Sequence, residues 1–382
     1  MSDTKLRILH VIEPTLGGTK RYIEDVFYAL ENVNNLKLGL IYSLNRSEPS
    51  FLLLLEKLRK NGVELFEVPM VRSISPISDL QAALKIRAII KKFKPNIIHC
   101  HSSKAGGLVR LLKLLFQVNN TVKTVYTPNE LATSIAWYYG LIETLLLPVT
   151  DRLIAVTEAE KKRIIRDLNV TTKKVSVVSP LISAHRFVPQ SKEEARKRLN
   201  VSQDKFLVIA LGRLAHQKRP EIFVDIACRL LQVLPSQVDF LWVGDGPLRH
   251  QIEDLIKKKK MDGVLKITGW VSDVRDFIAA ADIVVMPSKY ESFGYVAAET
   301  MAMERVVVVS DVPALQEVVG NKTLVFQNSE EAVEIIIRLL SNTEQLNTIA
   351  QELRQSVTQR FSKERMKDSL LNVYCNLLID KV

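Results

Sequence analysis

Apolar residues recur along the chain in short runs that alternate with longer amphipathic segments. The first run, Leu6–Ile12, predicts a buried strand, and the next segment, Tyr22–Leu30, carries its apolar residues at helical spacing. The alternation continues to Leu181 and starts again at Phe206. Strands that alternate with helices form parallel sheets with right-handed crossovers. The pattern therefore predicts an α/β protein with two doubly wound, Rossmann-like units, one after the other.

The boundary between these units is predicted near residue 185. A polar stretch that contains Ser183, His185 and Pro189 separates the two alternating series. At 382 residues the chain is long enough for two domains. We expect an N-terminal domain over residues 1–184 and a second domain over residues 185–362, followed by a last helix near Lys363–Leu377.

Composition predicts a soluble globular protein of a reducing compartment. The apolar fraction is 47% and the charged fraction 25%, both ordinary values. The three cysteines are odd in number and far apart, which argues against a disulfide framework and favours the cytoplasm. Residues 1–7 lack the apolar core of a signal peptide. The longest apolar run, Trp137–Val149, contains Glu143 and is too short to span a bilayer.

The net charge of +11 lies almost entirely in the first half. Residues 1–180 hold 26 Lys and Arg against 16 Asp and Glu, whereas the rest holds 27 against 26. This asymmetry predicts an anionic partner for the first half: a membrane surface, a phosphorylated acceptor or nucleic acid. A solvated, lysine-rich surface explains the same charge and stays open as the alternative.

Residues 283–302 predict an anion-binding turn. Ile283–Met286 is a short apolar run, Tyr295–Ala302 is helical, and the turn between them contains Gly294. Backbone N–H groups at a helix N-terminus bind anions. Glu291 lies in the turn and Glu299 in the helix, and carboxylates accept hydrogen bonds from hydroxyls. A ligand with both phosphates and hydroxyls, such as a nucleotide sugar, fits this combination.

A capped helix N-terminus is a simpler interpretation of that turn, but it explains only one of the two glutamates. Ser288 and Glu291 have the spacing of a capping box, whereas this interpretation gives no reason for Glu299 on an apolar helix.

A basic loop elsewhere in the chain strengthens the ligand hypothesis. Arg213, Lys218 and Arg219 follow the predicted strand that begins at Phe206. Arginine forks and mobile lysines suit a diphosphate. A solvated basic loop remains the alternative.

Other strand ends carry weaker signals. Gly17-Gly18 and the turn at Gly244 let backbone approach a ligand closely, but such turns also serve packing alone. On a strand, His99 and His101 share one face, and no third metal ligand is evident near them. We therefore expect no metal, and we expect His101 to face the ligand side as a polar group at the sheet edge. No Walker A sequence and no nucleophile elbow is present.

Taken together, these motifs resemble those of the retaining glycosyltransferases of family 4, which have the GT-B fold. The matching stretches, which occur in the family's order and cover most of the chain, are Gly17-Gly18-x-x-Arg21-Tyr22, His99-x-His101-Ser102-Ser103-Lys104-Ala105-Gly106, Gly212-Arg213-Leu214-x-x-Gln217-Lys218, Gly244-x-Gly246-Pro247 and Glu291-x7-Glu299. The resemblance implies two Rossmann-like domains that face each other across a cleft, with the last helix crossing back to the first domain.

The resemblance also implies a role for each matching residue. Arg213 and Lys218 would grip the diphosphate of a nucleotide-sugar donor, and Glu299 would bind its ribose. Catalytic contributions would come from Glu291, Arg213, Lys218 and His101. The donor-binding set would comprise Gly17, Gly18, Gly212, Arg213, Lys218, Gly244, Val271, Asp273, Glu291, Phe293, Gly294, Tyr295 and Glu299. The acceptor side would comprise Arg21, His101 and Asn129.

The implied reaction is hexosyl transfer with retention at the anomeric carbon, without a covalent enzyme nucleophile and without a metal cofactor. The donor would be a UDP- or GDP-sugar, and the acceptor a glycan precursor or a polyprenyl-linked glycan. Two stretches depart from the family pattern: Thr127-Pro128-Asn129 lacks a frequent histidine, and Ser179-Pro180-Leu181 replaces a frequent Asn-Gly. Asn129 hydrogen-bonds hydroxyls but takes up no proton at neutral pH.

Two basic amphipathic segments, Leu80–Lys94 and Lys104–Gln117, match helices that rest on an anionic membrane, although core-facing helices with outward lysines have the same spacing. We therefore expect a cytoplasmic enzyme, peripheral on the inner face of the membrane. Three rivals remain: a GT-B epimerase, a donor-binding protein without transfer activity, and a basic protein that binds nucleic acid or membranes. We expect no nucleic-acid partner, since no RNA-binding or helix-turn-helix motif is present.

Overall fold

A computed structural model of the chain describes residues 5–116, 121–129, 137–183 and 185–379. These residues form two compact units. Unit 1 comprises Met1–Leu181 together with Lys363–Val382, and unit 2 comprises Ile182–Ser362. The division falls three residues before the end of the N-terminal domain expected from the sequence, at residue 184. Unit 2 is thus a continuous segment inserted into unit 1.

Unit 1 is built on a parallel sheet of seven strands in the order β3-β2-β1-β4-β5-β6-β7. Its strands are β1 (Leu6–Ile12), β2 (Leu36–Tyr42), β3 (Glu64–Glu67), β4 (Ile97–His101), β5 (Lys123–Thr127), β6 (Arg152–Ala155) and β7 (Val175–Val177). Its first six helices are α1 (Gly17–Leu30), α2 (Ser50–Lys60), α3 (Pro76–Phe93), α4 (Ser103–Phe116), α5 (Trp137–Leu146) and α6 (Glu158–Leu168). The order reverses between β1 and β4, so the crevice for ligands is expected there.

Unit 2 is built on a parallel sheet of six strands in the order β10-β9-β8-β11-β12-β13. Its strands are β8 (Phe206–Leu211), β9 (Val238–Val243), β10 (Leu265–Ile267), β11 (Ile283–Met286), β12 (Val306–Ser310) and β13 (Val325–Phe326). Its helices are α7 (Lys192–Leu199), α8 (Pro220–Val233), α9 (Arg249–Lys258), α10 (Arg275–Ala280), α11 (Tyr295–Ala302), α12 (Pro313–Val319), α13 (Ser329–Leu340) and α14 (Thr343–Arg360).

The last helix, α15 (Lys363–Ile379), belongs to unit 1 and packs on α1. It buries Tyr374, whose hydroxyl lies 2.7 Å from His99 Nδ1 on β4. At its start, the Lys363 ammonium lies 3.9 Å from the ring centre of Tyr28 on α1. The end of the chain thereby completes the packing of the first sheet.

Helices cover both faces of the first sheet. One core is formed by residues of α3 and α4 against β1, β4 and β5, and a second by α1 and α2 against β1 and β2. The central strands are buried along their whole length, as β4 and β11 show, which is typical of parallel sheets covered on both faces. Most predicted element bounds hold within three residues. The helix predicted from Tyr22 begins five residues earlier, at Gly17.

Among the residues that the structure describes, no helix is both long enough and apolar enough to cross a bilayer.

Candidate functional site

In unit 2, the loops that follow β8 and β11 bring a lysine and a carboxylate together. The Lys218 ammonium forms an ion pair with the Glu291 carboxylate, 73 residues away in sequence. Ser288 donates a hydrogen bond of 2.8 Å from its hydroxyl to the same carboxylate oxygen of Glu291. Both charged side chains are only partly exposed. The ion pair lies at the carboxyl ends of two adjacent parallel strands, where ligands bind in sheets of this kind.

Hydrogen bonds to backbone carbonyl groups fix these two loops against each other. The Lys289 N–H donates to the Gln217 carbonyl at 2.7 Å, and the Gln217 amide donates back to the Tyr290 carbonyl at 3.1 Å. The Arg219 guanidinium donates to the Pro287 carbonyl at 2.6 Å. Arg219, one of the three cations of the basic loop, is therefore used to hold the loop.

The loop after β9 adjoins the loop after β8 just as tightly. Gly244 has a φ of 139°, and a Cβ atom at this position would lie 2.2 Å from the Gly212 carbonyl oxygen. Any other residue would therefore push the two loops apart. Trp242 donates its indole N–H to the same carbonyl at 2.9 Å. The predicted glycine turn is a structural requirement of this edge of the sheet, whatever it contacts in a ligand.

Arg213 differs from the other cations of this edge. Its side chain is exposed, and in the described parts of the chain it makes no ion pair or hydrogen bond. It lies next to Gly212, five residues before Lys218, and is the cation most available to a diphosphate. Gly294, with a φ of 94°, leads into α11, whose first N–H groups were predicted to bind an anion.

The capping-box interpretation of the turn is wrong. The N-cap of α11 is Gly294, not Ser288, and it makes no side-chain capping bond. Ser288 instead points its hydroxyl at Glu291, as described above. Glu299 lies inside α11 and is only 1% exposed. The Phe293 ring is buried, with its centre 5.3 Å from that of Tyr295 and 5.0 Å from that of Phe361, so only its backbone is available to a ligand.

The turn after β10 contains two residues of the predicted donor-binding set, Val271 and Asp273. The Asp273 carboxylate accepts hydrogen bonds from the backbone and the guanidinium of Arg275, and these bonds lower the pKa of Asp273. Val271 is half-buried. Trp270, beside them, exposes most of its side chain. An exposed indole is a surface on which a base can stack.

In unit 1, the two glycines of the first motif are the first residues of α1. The Gly17 N–H donates to a carboxylate oxygen of Glu48 at 3.3 Å, and Lys20 pairs with Glu48 at 3.3 Å. Burial alone would raise the pKa of Glu48, but hydrogen bonds from Ser50 and Gly17 and the charge of Lys20 lower it. The N-terminus of α1 therefore already has a carboxylate beside it, which the sequence did not reveal.

Three histidines cluster at the carboxyl ends of β1 and β4. His10 joins His99 and His101, and all three side chains are fully buried. His10 Nδ1 lies 3.0 Å from His101 Nε2, while His99 places its two ring nitrogens 2.7 Å from the Tyr374 hydroxyl and 2.8 Å from the Thr127 hydroxyl. Burial lowers the pKa of His10 to about 3. Burial also lowers the pKa values of His99 and His101 well below the usual value of a histidine.

These contacts correct two expectations. A third histidine does complete a cluster with His99 and His101, because β1 pairs with β4 in a register that sets His10 beside His99. His101 is fully buried and packed among His10, His99 and Tyr22, so it does not face the ligand side as a free polar group. A direct contact of His101 with substrate would require these rings to separate, and we do not carry its catalytic role forward.

The cluster suits neutral imidazoles better than a divalent cation. Both nitrogens of His99 already meet hydroxyl groups, and the three-histidine group includes no carboxylate or thiolate that would offset a buried positive charge. Moving a charge into such surroundings costs several kcal/mol. That the enzyme works without a metal remains a prediction.

The remaining acceptor-side residues lie on unit 1 near this edge. Arg21 is half-buried on α1, and Asn129 follows β5 with a left-handed backbone, φ 58°. Asparagine tolerates this conformation better than most residues do. The structure does not test the predicted contacts of these two residues with an acceptor.

Two family models match the chain. The model described as Glycosyltransferase Family 4 matches residues 16–186, and the model described as Glycosyl transferases group 1 matches residues 205–342. The chain is a glycosyltransferase of the family 4 type. Together the two models include every motif of both strand edges except the histidine on β1.

Similar proteins agree with this family. UDP-Gal:alpha-D-GlcNAc-diphosphoundecaprenol alpha-1,3-galactosyltransferase of Escherichia coli is 26% identical over 398 residues, covering 100% of this chain and 99% of that protein. The structure of Anabaena Alr3699/HepE in complex with UDP-glucose has a TM-score of 0.82 at 19% identity and covers 97% of this chain and 100% of that one. The sucrose-phosphate synthase of Thermosynechococcus elongatus has a TM-score of 0.81 at 19% identity and covers 98% and 100%.

These comparisons confirm two predictions. The fold is that of the GT-B glycosyltransferases, with two Rossmann-like units. The protein is a transferase of the hexosyltransferase kind. These findings argue against the two alternative functions of an epimerase and of a nucleic-acid-binding protein. The structural neighbours, below 25% identity, specify the fold and leave the sugar and the acceptor open.

Proposed function

We propose that this glycosyltransferase moves a hexosyl group, with retention at the anomeric carbon, from a UDP-sugar to a polyprenyl-diphosphate-linked glycan. The observation that carries the donor half is the Lys218–Glu291–Ser288 cluster, together with the exposed Arg213 on the same loop as Lys218, which pairs with no described residue. The E. coli enzyme, which aligns from end to end with this chain, supports the acceptor half and the uridine base. We place the enzyme at the cytoplasmic face of a membrane because such an acceptor is anchored in lipid.

The donor diphosphate would lie between the loop after β8 and the N-terminus of α11. Arg213 would provide a two-pronged hydrogen bond to phosphate oxygens, and Lys218 a mobile positive charge. Before the donor binds, Lys218 is neutralised by Glu291. As the diphosphate arrives it attracts the ammonium, and one Glu291 oxygen then accepts a hydrogen bond from a hydroxyl of the sugar. Glu291 therefore senses the diphosphate and positions the sugar.

The reaction breaks the bond between the anomeric carbon and the diphosphate oxygen. The acceptor hydroxyl oxygen attacks on the face that the diphosphate leaves, and its proton passes to the departing phosphate oxygen. Atoms balance as UDP plus the glycosylated acceptor, and no protein group becomes covalently attached. Negative charge grows on the diphosphate during this step, where Arg213, Lys218 and the α11 N–H groups stabilise it. These groups would do the work that a metal ion does elsewhere.

The donor is tested by thermal unfolding of the protein with UDP-, GDP-, dTDP- and ADP-sugars in the presence of EDTA. A ligand that binds only the folded state raises the melting temperature by mass action. We expect UDP-sugars alone to raise it in the wild type, and to have little effect in Arg213→Ala. Equal shifts in both proteins, or no shift in the wild type, would contradict the proposed donor site.

Retention and the acceptor need a second measurement. A water-soluble acceptor with a short prenyl diphosphate is incubated with the UDP-sugar that binds best, and the product is examined by NMR. We expect the anomeric configuration of the product to equal that of the donor, and UDP release to depend on the acceptor. An inverted product, or UDP release that is independent of every acceptor, would overturn the mechanism.

A further inference from the structure

Exposed apolar side chains are concentrated on one face of unit 1. Of the nineteen large hydrophobic side chains that are exposed in the described residues, ten belong to α3, α4 and α5. These three helices pack side by side, α3 on α4 and α4 on α5. We call the outward surface of Leu80, Leu84, Leu111, Leu115, Leu141 and Leu145 the outer leucine face. Single exposed leucines need no explanation, but a contiguous group on neighbouring helices does.

The arrangement of α3 shows that this exposure follows from the sequence. Ala82, Ala83, Ile86 and Ile90 are buried against the sheet, so the core-facing stripe of the helix is already complete. Leu80 and Leu84, one turn apart, lie on the opposite side of the helix. The helix is therefore apolar on a face that no described part of the chain covers.

Specific contacts hold the three helices as one layer. Lys104 of α4 pairs with Asp79 of α3 at 2.7 Å, and the Arg87 guanidinium of α3 lies 5.1 Å from the Phe116 ring centre of α4. Between α4 and α5, the buried Arg110 pairs with Glu143 at 2.8 Å. Loss of one partner of a buried ion pair strongly destabilises the fold, because the other charge is left buried and unpaired. The Arg110–Glu143 pair therefore fixes the position of α5 and its leucines.

Positive charge is concentrated along α3 and α4, which carry four of these six leucines. Residues 72–116 contain nine Lys and Arg and a single Asp. Lys104, Arg110 and Lys113 are ion-paired, with Asp79, Glu143 and Asp151. The other six cations have no carboxylate within ion-pair distance in the described chain. Among these six, Lys91 and Lys92 are exposed in the last turn of α3.

We propose that the outer leucine face is the surface by which the enzyme docks on an anionic lipid bilayer. The inference deepens the proposed function and rests on it in one respect only, that a lipid-linked acceptor has to be reached from the membrane. An apolar strip edged with lysine and arginine is the pattern of helices that lie in the membrane interface. Each cation close to an anionic surface contributes about 1 kcal/mol.

A protein partner and a second copy of the chain fit the surface less well. Lysine is depleted from protein–protein interfaces. In a symmetric dimer the same patch of each subunit faces its counterpart, so the unpaired cations of two copies would be brought together. Anionic headgroups neutralise this charge, and the acyl region accepts the leucines.

The position of the surface suits the reaction. Because α3 and α4 follow β3 and β4, both helices start at the carboxyl edge of the sheet, where the glycine motif of α1 also begins. Ile77 and Leu80 are near the start of α3, and Leu111 and Leu115 are further down α4. The leucine face thus extends from the ligand edge of unit 1 along one side of the sheet, which would let a membrane-anchored acceptor approach that edge.

The test is sedimentation of the full-length protein with vesicles of phosphatidylcholine alone or mixed with phosphatidylglycerol. We expect binding only to the anionic vesicles, with a loss at high salt. The variant Leu115→Glu/Leu145→Glu should lower the partition coefficient at least about tenfold, because two half-inserted leucines become charged. Leu53→Glu is the matched control: Leu53 is 69% exposed, as is Leu145, but lies on α2 on the opposite face of the sheet.

The charge is tested with Lys91→Gln/Lys92→Gln. Loss of two cations should lower binding about 30-fold at low salt. Lys257→Gln/Lys258→Gln is the control, since these lysines occupy the last turn of α9 in unit 2 just as Lys91 and Lys92 do in α3. Equal binding to both vesicle types, or equal effects of test and control variants, would overturn the proposal.

Two further measurements exclude other causes. Sedimentation velocity without lipid would reveal a dimer that Leu115→Glu/Leu145→Glu dissociates, which would assign the surface to a second copy instead. Thermal unfolding of every variant and its UDP-sugar shift show whether the fold and the donor site are intact. Since vesicle binding needs no donor, a protein that binds vesicles but no UDP-sugar would refute the proposed donor and leave the docking surface supported.

Discussion

The two units treat the polar groups at their strand ends in opposite ways. In unit 1, His10, His99 and His101 are fully buried, and burial keeps them neutral. In unit 2, Lys218 and Glu291 are charged, partly exposed and paired with each other. The same fold thus carries one polar cluster that is closed to solvent and one that a ligand can reach.

The difference in burial explains the difference in role that we propose. A buried neutral cluster contributes fixed geometry, because its rings are packed together and hydrogen-bonded to neighbouring groups and because charging it is costly. The Lys218–Glu291 pair is largely buried but reaches solvent at the sheet edge, so an arriving diphosphate can replace Glu291 as the partner of Lys218. The following predictions separate these two roles, beginning with the largest expected effect.

Loss of the lysine should damage catalysis most. Lys218→Ala removes a cation from the growing charge of the diphosphate, and it leaves Glu291 facing that charge unpaired. We expect kcat/KM for UDP-sugar turnover to fall about 100- to 1,000-fold. The control is Lys205→Ala, which removes a lysine of unit 2 that pairs with Asp239 away from the loops. A similar loss in both variants would contradict a specific role for Lys218.

The contribution of Arg213 to turnover should depend on the shape of its guanidinium group as well as on its charge. Arg213→Ala is expected to lower kcat/KM about 100-fold, and Arg213→Lys about tenfold, because lysine retains the charge but not the planar fork. Arg229→Ala, in an exposed pair with Asp225 on α8, serves as control and should leave turnover unchanged. Full activity of Arg213→Lys would show that a point charge suffices.

The buried carboxylate of α11 should affect donor binding more than chemistry. For Glu299→Gln we expect the KM for the UDP-sugar to rise about tenfold with little change in kcat, since the predicted hydrogen bond to the ribose would be present in both the ground state and the transition state. Steady-state kinetics with varied donor measures both constants. A fall in kcat with an unchanged KM would move Glu299 from binding to the reaction step.

The histidine cluster should appear in the pH dependence of stability. The folded-state pKa of His10 is lowered to about 3, whereas the unfolded chain takes up a proton near about pH 6.5. The unfolded state therefore binds more protons below about pH 6.5, and stability is lost as the pH falls from there toward 3. Each of the three histidines should contribute about 1.4 kcal/mol per pH unit.

Urea unfolding of His10→Gln and of the wild type at a series of pH values measures this contribution. We expect the slope of unfolding free energy against pH to decrease by one histidine's share in the variant. His250→Gln is the control, because the His250 side chain is 97% exposed on α9, and it should leave the slope unchanged. An unaltered slope in His10→Gln would mean that His10 is protonated in the folded protein.

The smallest effect is expected at the start of α1. Glu48 places a negative charge where the glycine motif would meet a donor phosphate. Glu48→Gln should therefore tighten UDP-sugar binding about twofold to fivefold, the size of a charge effect at a helix N-terminus. Glu24→Gln removes the other carboxylate partner of Lys20, which lies away from this helix end, and is the control. Weaker binding in Glu48→Gln would indicate that Glu48 itself holds the ligand.

Hydrophobic periodicity was enough to predict the fold. Ile283–Met286 and Tyr295–Ala302 have the predicted bounds, because a buried parallel strand and a helix differ in apolar period. The GT-B class was reached through motifs in order along the chain, and the family models agree. The exposed leucines of α3 and α4 were predicted only as one of two alternatives, since period alone does not say which face is covered.

Contacts between different strand ends could not be read from the sequence. His10 meets His99 and His101 because β1 and β4 are neighbours, and Glu48 meets Gly17 across 31 residues. Strand order and register determine which strand ends come into contact, and neither can be recognised from a short stretch of sequence. The Lys218–Glu291 pair is similar: both residues were predicted for the site, but their direct pairing depends on β8 lying beside β11.

The position of α15 has a consequence for how the chain is made. Unit 1 is completed by residues made long after its other elements, since the Tyr374 hydroxyl meets His99 across 275 residues of sequence. Unit 2 is continuous and all of it precedes α15, so we expect it to reach its native form during synthesis. The first sheet must wait, with part of α1 uncovered, until α15 has left the ribosome. Synthesis of α15 is therefore the earliest moment at which the packing of unit 1 can become complete.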